Sequence, residues 1–299
     1  MSSGDEDLVA LARHVIDRAR AHGATQCDVY AGRYDESNVS VRLGEVEKLI
    51  EAGSRALGLR VITGGGRTAV SSTSDLSEEA LERLARETVE LAAISEADPY
   101  AGLPDQADFA RKGAEGLQLY DERLADLTTD AMTEMAIASE DAARGYDPRI
   151  TNSGGASVSS RRGEVVLVNS LGFSGTYPST GVSLSVEVMA DDDDGKKRNA
   201  YWFTSERSLH RLQDAAEVGR IAARRALDQL GAKKVSTRRV PVVFEPMMTA
   251  ALMRDFAGCA NGSALYRGST FLAGRTGQAI GSPLLSIVDD PWLPARGGS

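Results

Sequence analysis

The sequence predicts an α+β protein built as two α/β-layered domains with mainly antiparallel sheets, followed by a tail that holds no complete domain. Three observations carry this expectation. Segments with apolar residues at helical spacing alternate with segments in which apolar and polar residues alternate singly. The 299 residues correspond to about two domains at roughly 150 residues each. The grouping of helix, strands and helix occurs twice, over 8–93 and again over 127–230.

In order along the chain, Leu8, Leu11, Ala12, Val15, Ile16 and Ala19 recur at helical spacing, with Arg13, Asp17, Arg18 and Arg20 opposite and Gly23 as a stop. This helix should lay one face on a sheet. Cys27–Tyr34, Asn38–Leu43, Ala56–Thr63 and Thr68–Ser72 then alternate apolar and polar residues between glycines, which predicts an antiparallel meander. Glu45–Ala52 reads equally as a short helix or a strand. Gly64, Gly65 and Gly66 with Arg67 form a hairpin turn. Ser74 or Asp75 caps a second helix, with Leu76, Ala80, Leu84, Val89 and Leu91 mostly on one face, ending near Ala93. Pro99, Gly102, Pro104, Gly113 and Gly116 punctuate a linker, with a domain boundary near Ala107.

The second grouping opens with a helix over Leu127–Ala143. Strands follow over Ile150–Ser160, Val165–Asn169, Phe173–Tyr177, Val182–Ala190 and Ala200–Thr204, and a long helix over Ser208–Leu230 closes it. A basic link, Lys233–Arg239, leads into a short apolar strand, Val240–Phe244. Pro246 suits a first helical turn, and Met247, Ala250, Ala251, Phe256 and Ala257 predict a buried helix before Gly258. The remainder is turn-rich, with Pro291, Pro294, Gly297 and Gly298 near its end. The domains are therefore expected at 1–106, 107–232 and 233–299.

Composition removes several function classes. Lys+Arg 34 against Asp+Glu 43 gives a formal net charge of −9, a poor match for coating a phosphate backbone, although the basic link forms a local exception. No apolar run approaches the roughly 20 residues of a membrane span, and Met1–Asp7 is polar and acidic rather than basic and then apolar. A cytoplasmic protein is expected. Cys27 and Cys259 are the only cysteines, so neither a disulfide framework nor a thiolate cluster is available.

The chemistry-bearing residues are sparse. His14, His22 and His210 lie far apart with no Glu at the spacing a zinc peptidase helix requires, so a structural role is expected for each. The nucleophile elbow Gly-x-Ser-x-Gly is absent. Cys259 follows Gly258 at a helix end, the wrong terminus for lowering a thiol pKa, and reads as structural. Gly64–Gly66 lacks the Gly-Lys-Ser/Thr of a phosphate loop. The run Asp191–Asp194 before Gly195, Lys196, Lys197 and Arg198 offers carboxylates, yet adjacent residues of an extended chain point to opposite sides and the calcium-loop spacing is missing. A solvated hairpin tip is the expectation there.

Three stretches together resemble the TldD/PmbA family: Cys27-Asp28-Val29-Tyr30-Ala31, Gly53-Ser54-Arg55-Ala56-Leu57-Gly58-Leu59-Arg60-Val61 and Asn261–Leu272. Each is weak alone. The pattern Gly-Ser-x-x-Tyr-Arg-x-Ser-Thr-Phe-Leu at Gly262–Leu272 resembles the PmbA (TldE) branch, and the resemblance extends over essentially the whole chain. It implies a subunit of a cytoplasmic heterodimeric metalloprotease acting on unfolded peptides and modified precursor peptides, in a family earlier described as modulators of DNA gyrase. In the TldD branch, a helix after the first strand of the last domain carries H-E-x-x-x-H, and a later cysteine completes the metal site. The corresponding stretch here, Glu245-Pro246-Met247-Met248-Thr249-Ala250-Ala251-Leu252, contains no His.

The resemblance therefore implies no catalytic residue, metal or cofactor in this chain, zinc in a TldD-type partner, and extended peptides as ligands. Main-chain hydrogen bonds to a sheet edge hold such peptides without reading side chains, and the strands between Ile150 and Thr204 are the expected edge or chamber wall. Asn199, Tyr201 and Trp202, with Tyr266 and Arg267 of the branch pattern, are the candidate groove or interface residues, each also open to a structural reading. Two other functions remain open: a homomeric hydrolase with its own site, or a regulator that binds gyrase or DNA. The family continues past Asp289-Asp290-Pro291, so 233–299 is expected to be a partial C-terminal domain that exposes apolar surface after Val240 and binds a partner or aggregates.

Overall fold

The computed structural model describes residues 7–109 and 116–296. The expectations that touch Met1–Glu6, Gly113, Gly297 and Gly298 lie outside the described residues. The chain divides into two units: residues up to 232 together with the segment from 291, and residues 233–290.

In the first unit, helix α1 (Leu8–Ala21) begins where the Asp7 carboxylate accepts hydrogen bonds from the Val9 and Ala10 amides. It buries Leu8, Ala12, Val15, Ile16 and Ala19. Strands β1 (Gln26–Arg42), β2 (Glu45–Thr63) and β3 (Arg67–Thr73) follow, then helix α2 (Glu78–Ile94), with Glu78 and Glu79 placed favourably in its first turn. Helix α3 (Thr129–Arg144) is capped by Thr128, which accepts from the Ala131 amide. Strands β4 (Ile150–Asn169), β5 (Ser174–Asp191) and β6 (Lys197–Glu206) lead to helix α4 (Ala215–Leu227), capped by Asp214.

All six strands form one antiparallel sheet in the order β3-β2-β1-β4-β5-β6. The two expected segments 1–106 and 107–232 contribute three strands each, joined where β1 pairs with β4 from Asp28↔Asn169 to Val41↔Ala156. Two separate apolar cores lie under this sheet. One packs α1 and α2 on Cys27, Val29, Ala31, Leu57, Leu59, Val61, Val166 and Val168. The other packs α3 and α4 on Val39, Val41, Ala156, Val158 and the alternate β5 residues from Leu184 to Ala190.

Several expected elements change. Cys27–Tyr34 and Asn38–Leu43 are one strand, as are Ile150–Ser160 and Val165–Asn169. Glu45–Ala52 is strand, and the cap of α2 is Ser77 rather than Ser74 or Asp75. The closing helix starts at Ala215, because Asp214 caps it there and Leu209–Arg211 form a separate turn of 3₁₀ helix.

The second unit contains helix α5 (Pro246–Ala260), which runs through Gly258, and helix α6 (Gly262–Tyr266). The expected strand Val240–Phe244 is irregular backbone, since among the described residues no strand pairs with it and an isolated strand leaves its ladder unmade. The expected burial of α5 also fails. None of its residues is buried, and within its own unit only α6 and turns are available to cover it.

Candidate functional site

Period-two alternation sends every second residue of the sheet away from the helices. On that open face the central strands carry small polar side chains. Asn38 Nδ2 donates to Ser159 Oγ at 2.6 Å, and the hydroxyls of Ser40 and Ser157 are 2.8 Å apart. Ser183 and Ser185 of β5 continue the same face, opposite Ser205 and Phe203 of β6. Low, hydroxyl-rich relief of this kind leaves room for a polypeptide lying along it.

One end of this face is aromatic and basic. A cavity of about 550 Å³ is lined by Tyr30, Tyr34, Arg161, Tyr177, Ser179 and Arg207, among others. The Tyr34 ring lies flat because Gly163, directly opposite it on β4, has no side chain: a Cβ there would stand 2.2 Å from Tyr34 Cδ1 and 2.4 Å from the Arg33 carbonyl oxygen. The Arg161 guanidinium stacks 3.7 Å above the ring and pairs with Glu36 at 3.1 Å. Desolvation, with the neighbouring Tyr34 hydroxyl, raises the Tyr30 phenol above its ordinary pKa.

The last strand, β6, whose C-terminal end also lines the cavity, closes the sheet and has no strand on its outer side among the described residues. Asn199 and Tyr201 project from its open face. Asn199 Nδ2 donates to Glu187 Oε1 at 2.6 Å, and Tyr201 stacks on Phe203 with ring centroids 6.4 Å apart and planes at 20°. Trp202, between them, faces the helices. It packs on the second core, donates from Nε1 to Gln213 Oε1 at 3.0 Å and carries Arg225 over its ring at 5.2 Å. The structure therefore brings Asn199 and Tyr201 together and places Trp202 on the opposite face. Tyr266 and Arg267 belong to the second unit, where Tyr266 is exposed and Arg267 Nη1 donates to Ser263 Oγ at 2.6 Å. Phe203 and the Tyr34–Arg161 stack were missed in the sequence. The alternation that pairs Phe203 with Tyr201 was available as a signal, whereas the stack depends on the long-range β1–β4 register.

The three histidines each meet a charged side chain. His14 Nε2 meets Glu78 at 3.0 Å and His22 Nε2 meets Glu82 at 2.8 Å, tying α1 to α2, while His210 Nδ1 lies 2.7 Å from Arg123. Burial pushes the Cys27 thiol up to about 11, which removes it as a nucleophile near neutral pH. In the acidic run three of the four carboxylates have a basic partner: Asp191 with Lys197, Asp192 with Arg198 at 2.7 Å and Asp194 with Lys196 at 2.8 Å. Asp192 also accepts from the Gly231 amide at 3.1 Å, and these hydrogen bonds hold the carboxyls below the usual range. These contacts form the tip of the β5–β6 hairpin.

Three domain descriptions of one family match the sequence. PmbA/TldA metallopeptidase domain 1 matches residues 27–92, the central domain 122–230 and the C-terminal domain 237–299. The chain belongs to the PmbA/TldD family. A metalloprotease PmbA homolog from Haemophilus influenzae is 33% identical over 99% of this chain and 64% of its own length. A candidate modulator of DNA gyrase from Bacteroides thetaiotaomicron has a solved structure that superposes with a TM-score of 0.88 at 28% identity, covering 98% of this chain and 66% of that one. TldE from Thermococcus kodakarensis gives a TM-score of 0.77 at 19% identity, over 95% of this chain and 63% of its own, and shows the fold alone. The chain thus spans about two thirds of the length of these PmbA/TldD relatives.

A metallopeptidase family raises the question of a zinc site. Zinc is held by three or four N, S or O donors. Among the described residues no three His, Cys, Asp or Glu side chains come together as a metal would need, and α5 offers only Asp255 and Cys259. The donor set does not fit a resident zinc ion.

No described helix is long and apolar enough to cross a membrane.

Proposed function

We propose that the chain is the PmbA/TldE-type subunit of a cytoplasmic, heterodimeric TldD/TldE metalloprotease that acts on unfolded or modified precursor peptides, and that it holds no metal itself. A TldD-type subunit supplies the zinc. The observation that carries this reading is α5, which has no His where the resemblance to the TldD branch would require H-E-x-x-x-H. Peptide hydrolysis needs an activated water and stabilisation of developing negative charge. The partner performs that step.

This chain contributes the holding of the peptide. The outer edge of β6 can add an extended segment through main-chain hydrogen bonds, which is tolerant of sequence. The stacked Tyr201 and Phe203 give that segment an apolar platform, and Asn199, fixed by Glu187, presents a polar one beside it. A groove built this way suits unfolded chains of varied composition better than one folded partner.

The test is the zinc content of the purified chain together with its binding of a labelled, unstructured peptide. Far less than one zinc per chain and measurable binding are expected, with binding weakened at least fivefold by Tyr201→Ala combined with Phe203→Ala. One zinc per chain accompanied by peptide cleavage would contradict the reading, as would binding indifferent to both substitutions.

A further inference from the structure

We propose that the cavity on the open face of the sheet receives the free C-terminal carboxylate of an extended peptide, with Arg161 and Arg207 as its anion-binding groups. The proposal rests on the peptide-binding reading and names a second contact point for the same ligand.

Small residues hollow out the cavity. Alternation sends Arg161, Gly163 and Val165 of β4 to this face, opposite Gly181, Ser179 and Tyr177 of β5. Gly181 has no side chain, and a Cβ there would meet only the Glu206 carbonyl oxygen, at 4.0 Å. The floor is therefore low beside Arg161. Val165, 4% exposed, adds an apolar patch to it next to Tyr177.

The charge of the cavity opposes that of the molecule. The chain carries a net −9, yet Arg161, Arg207 and Arg296 all line this one space. Arg161 is fixed by its stack on Tyr34 and by the pair between its Nε and Glu36, and its other N–H donors remain for a ligand. Arg207 forms no ion pair among the described residues. Its backbone is set by Thr180 Oγ1, which donates to the Arg207 carbonyl at 2.7 Å. Glu206 also lines the cavity, but it stands opposite Val182, which is buried on the helical side, so alternation assigns its carboxylate to that side. Guanidinium groups beside an apolar floor suit a carboxylate attached to a side-chain-bearing carbon.

The stripe of serines points to the end of a chain as the source of that carboxylate. Arg161 follows Ser157 and Ser159 on the same face of β4, and Gly181 precedes Ser183 and Ser185 on β5, so the hydroxyl-lined surface runs directly into the cavity. A peptide lying along the stripe brings its terminus over Arg161 and Arg207 and its last side chain over Val165. The C-terminal carboxylate is also the one anion that peptides of every sequence share.

The test uses the full chain and a labelled, unstructured peptide whose only carboxylate is its C-terminus. It is compared with its C-terminal amide and with an amide carrying one central Asp. At constant ionic strength the acid should bind at least tenfold more tightly than either amide. Arg207→Gln and, separately, Gly181→Leu, which fills the cavity, should each bring the acid down to the level of the amide with melting unchanged. Equal binding of acid and amide would overturn the proposal, and the peptide-binding reading would still stand if Tyr201→Ala with Phe203→Ala weakened both. No binding of any of the three peptides would overturn the two together. Full affinity restored by the central Asp would also overturn the proposal, as would inorganic phosphate binding more tightly than the acid.

Discussion

Glu140 is fully buried on α3, yet its carboxylate reaches across to the β1–β2 turn and accepts the Leu43 amide at 2.9 Å and the Gly44 amide at 2.8 Å. Both turn residues have positive φ, 54° and 85°, so the turn is held in the left-handed region by a side chain almost a hundred residues away. Glu140→Gln replaces one acceptor with an amide donor and should lower stability by about 2 kcal/mol, read as a fall in Tm with faster hydrogen exchange at Leu43 and Gly44. Gly163→Ala should cost about 1–3 kcal/mol, since its methyl group meets both the Tyr34 ring and a backbone carbonyl. The same change should expel Arg161 from the ring, visible as a changed tyrosine signal in the near-ultraviolet. At this scale the sequence grouped Asn199, Tyr201 and Trp202 as candidates, although a strand alternates its faces and Trp202 packs on the second core. Glu140 was not legible at all, because an acidic residue in a helix reads as solvated until its long-range partner is known.

The helices and the alternating strand segments were legible because each pairs one apolar face with a core. The breaks placed near Asp35 and Arg162 were wrong for a physical reason. Between Arg33 and Ser37 on β1, and between Ser159 and Glu164 on β4, neither face is buried, since these stretches lie between the two cores. The alternation signal therefore disappears while the hydrogen-bonded ladder continues through Asp35↔Arg162. Glu45–Ala52 was ambiguous for the same reason, being exposed on both sides. Helix packing adds a sharper test. The Gly219 position of α4 lies so close to α3 that a Cβ would stand 2.1 Å from the Ser139 carbonyl oxygen. Gly219→Ala should separate these helices and lower Tm, whereas the neighbouring exposed Arg220→Ala should change it little. In the turn between α3 and β4, hydrogen bonds from Arg149 hold the Asp147 carboxyl at about 2, below the ordinary 3.8. A depressed folded-state pKa stabilises above the unfolded value, and that contribution is lost as pH falls from about 4 through about 2. Asp147→Asn should remove this part of the acid sensitivity, measured as a smaller difference in Tm from the parent at pH 2 than at pH 6.

Across the whole molecule, one sheet carries two cores on its helical side and a polar, aromatic-flanked surface on the other. The first unit thus leaves an open surface and two outer strands available for contact, while in the second unit Val243, Phe244, Leu284 and Val288 are exposed together with an α5 that buries none of its residues. The proposed role, a subunit that binds peptide and leaves bond cleavage to a zinc-bearing partner, would use such surfaces. The pairing of β1 with β4, which fuses the two expected domains into one sheet, was beyond the sequence because it joins residues more than a hundred positions apart. The most direct test is cleavage of an unstructured peptide by this chain alone, by a TldD-type subunit alone, and by the two mixed in equal amounts. The expected result is no cleavage by the chain alone and at least tenfold faster cleavage by the mixture than by the TldD-type subunit. Cleavage by this chain alone, with one zinc bound per chain, would contradict it.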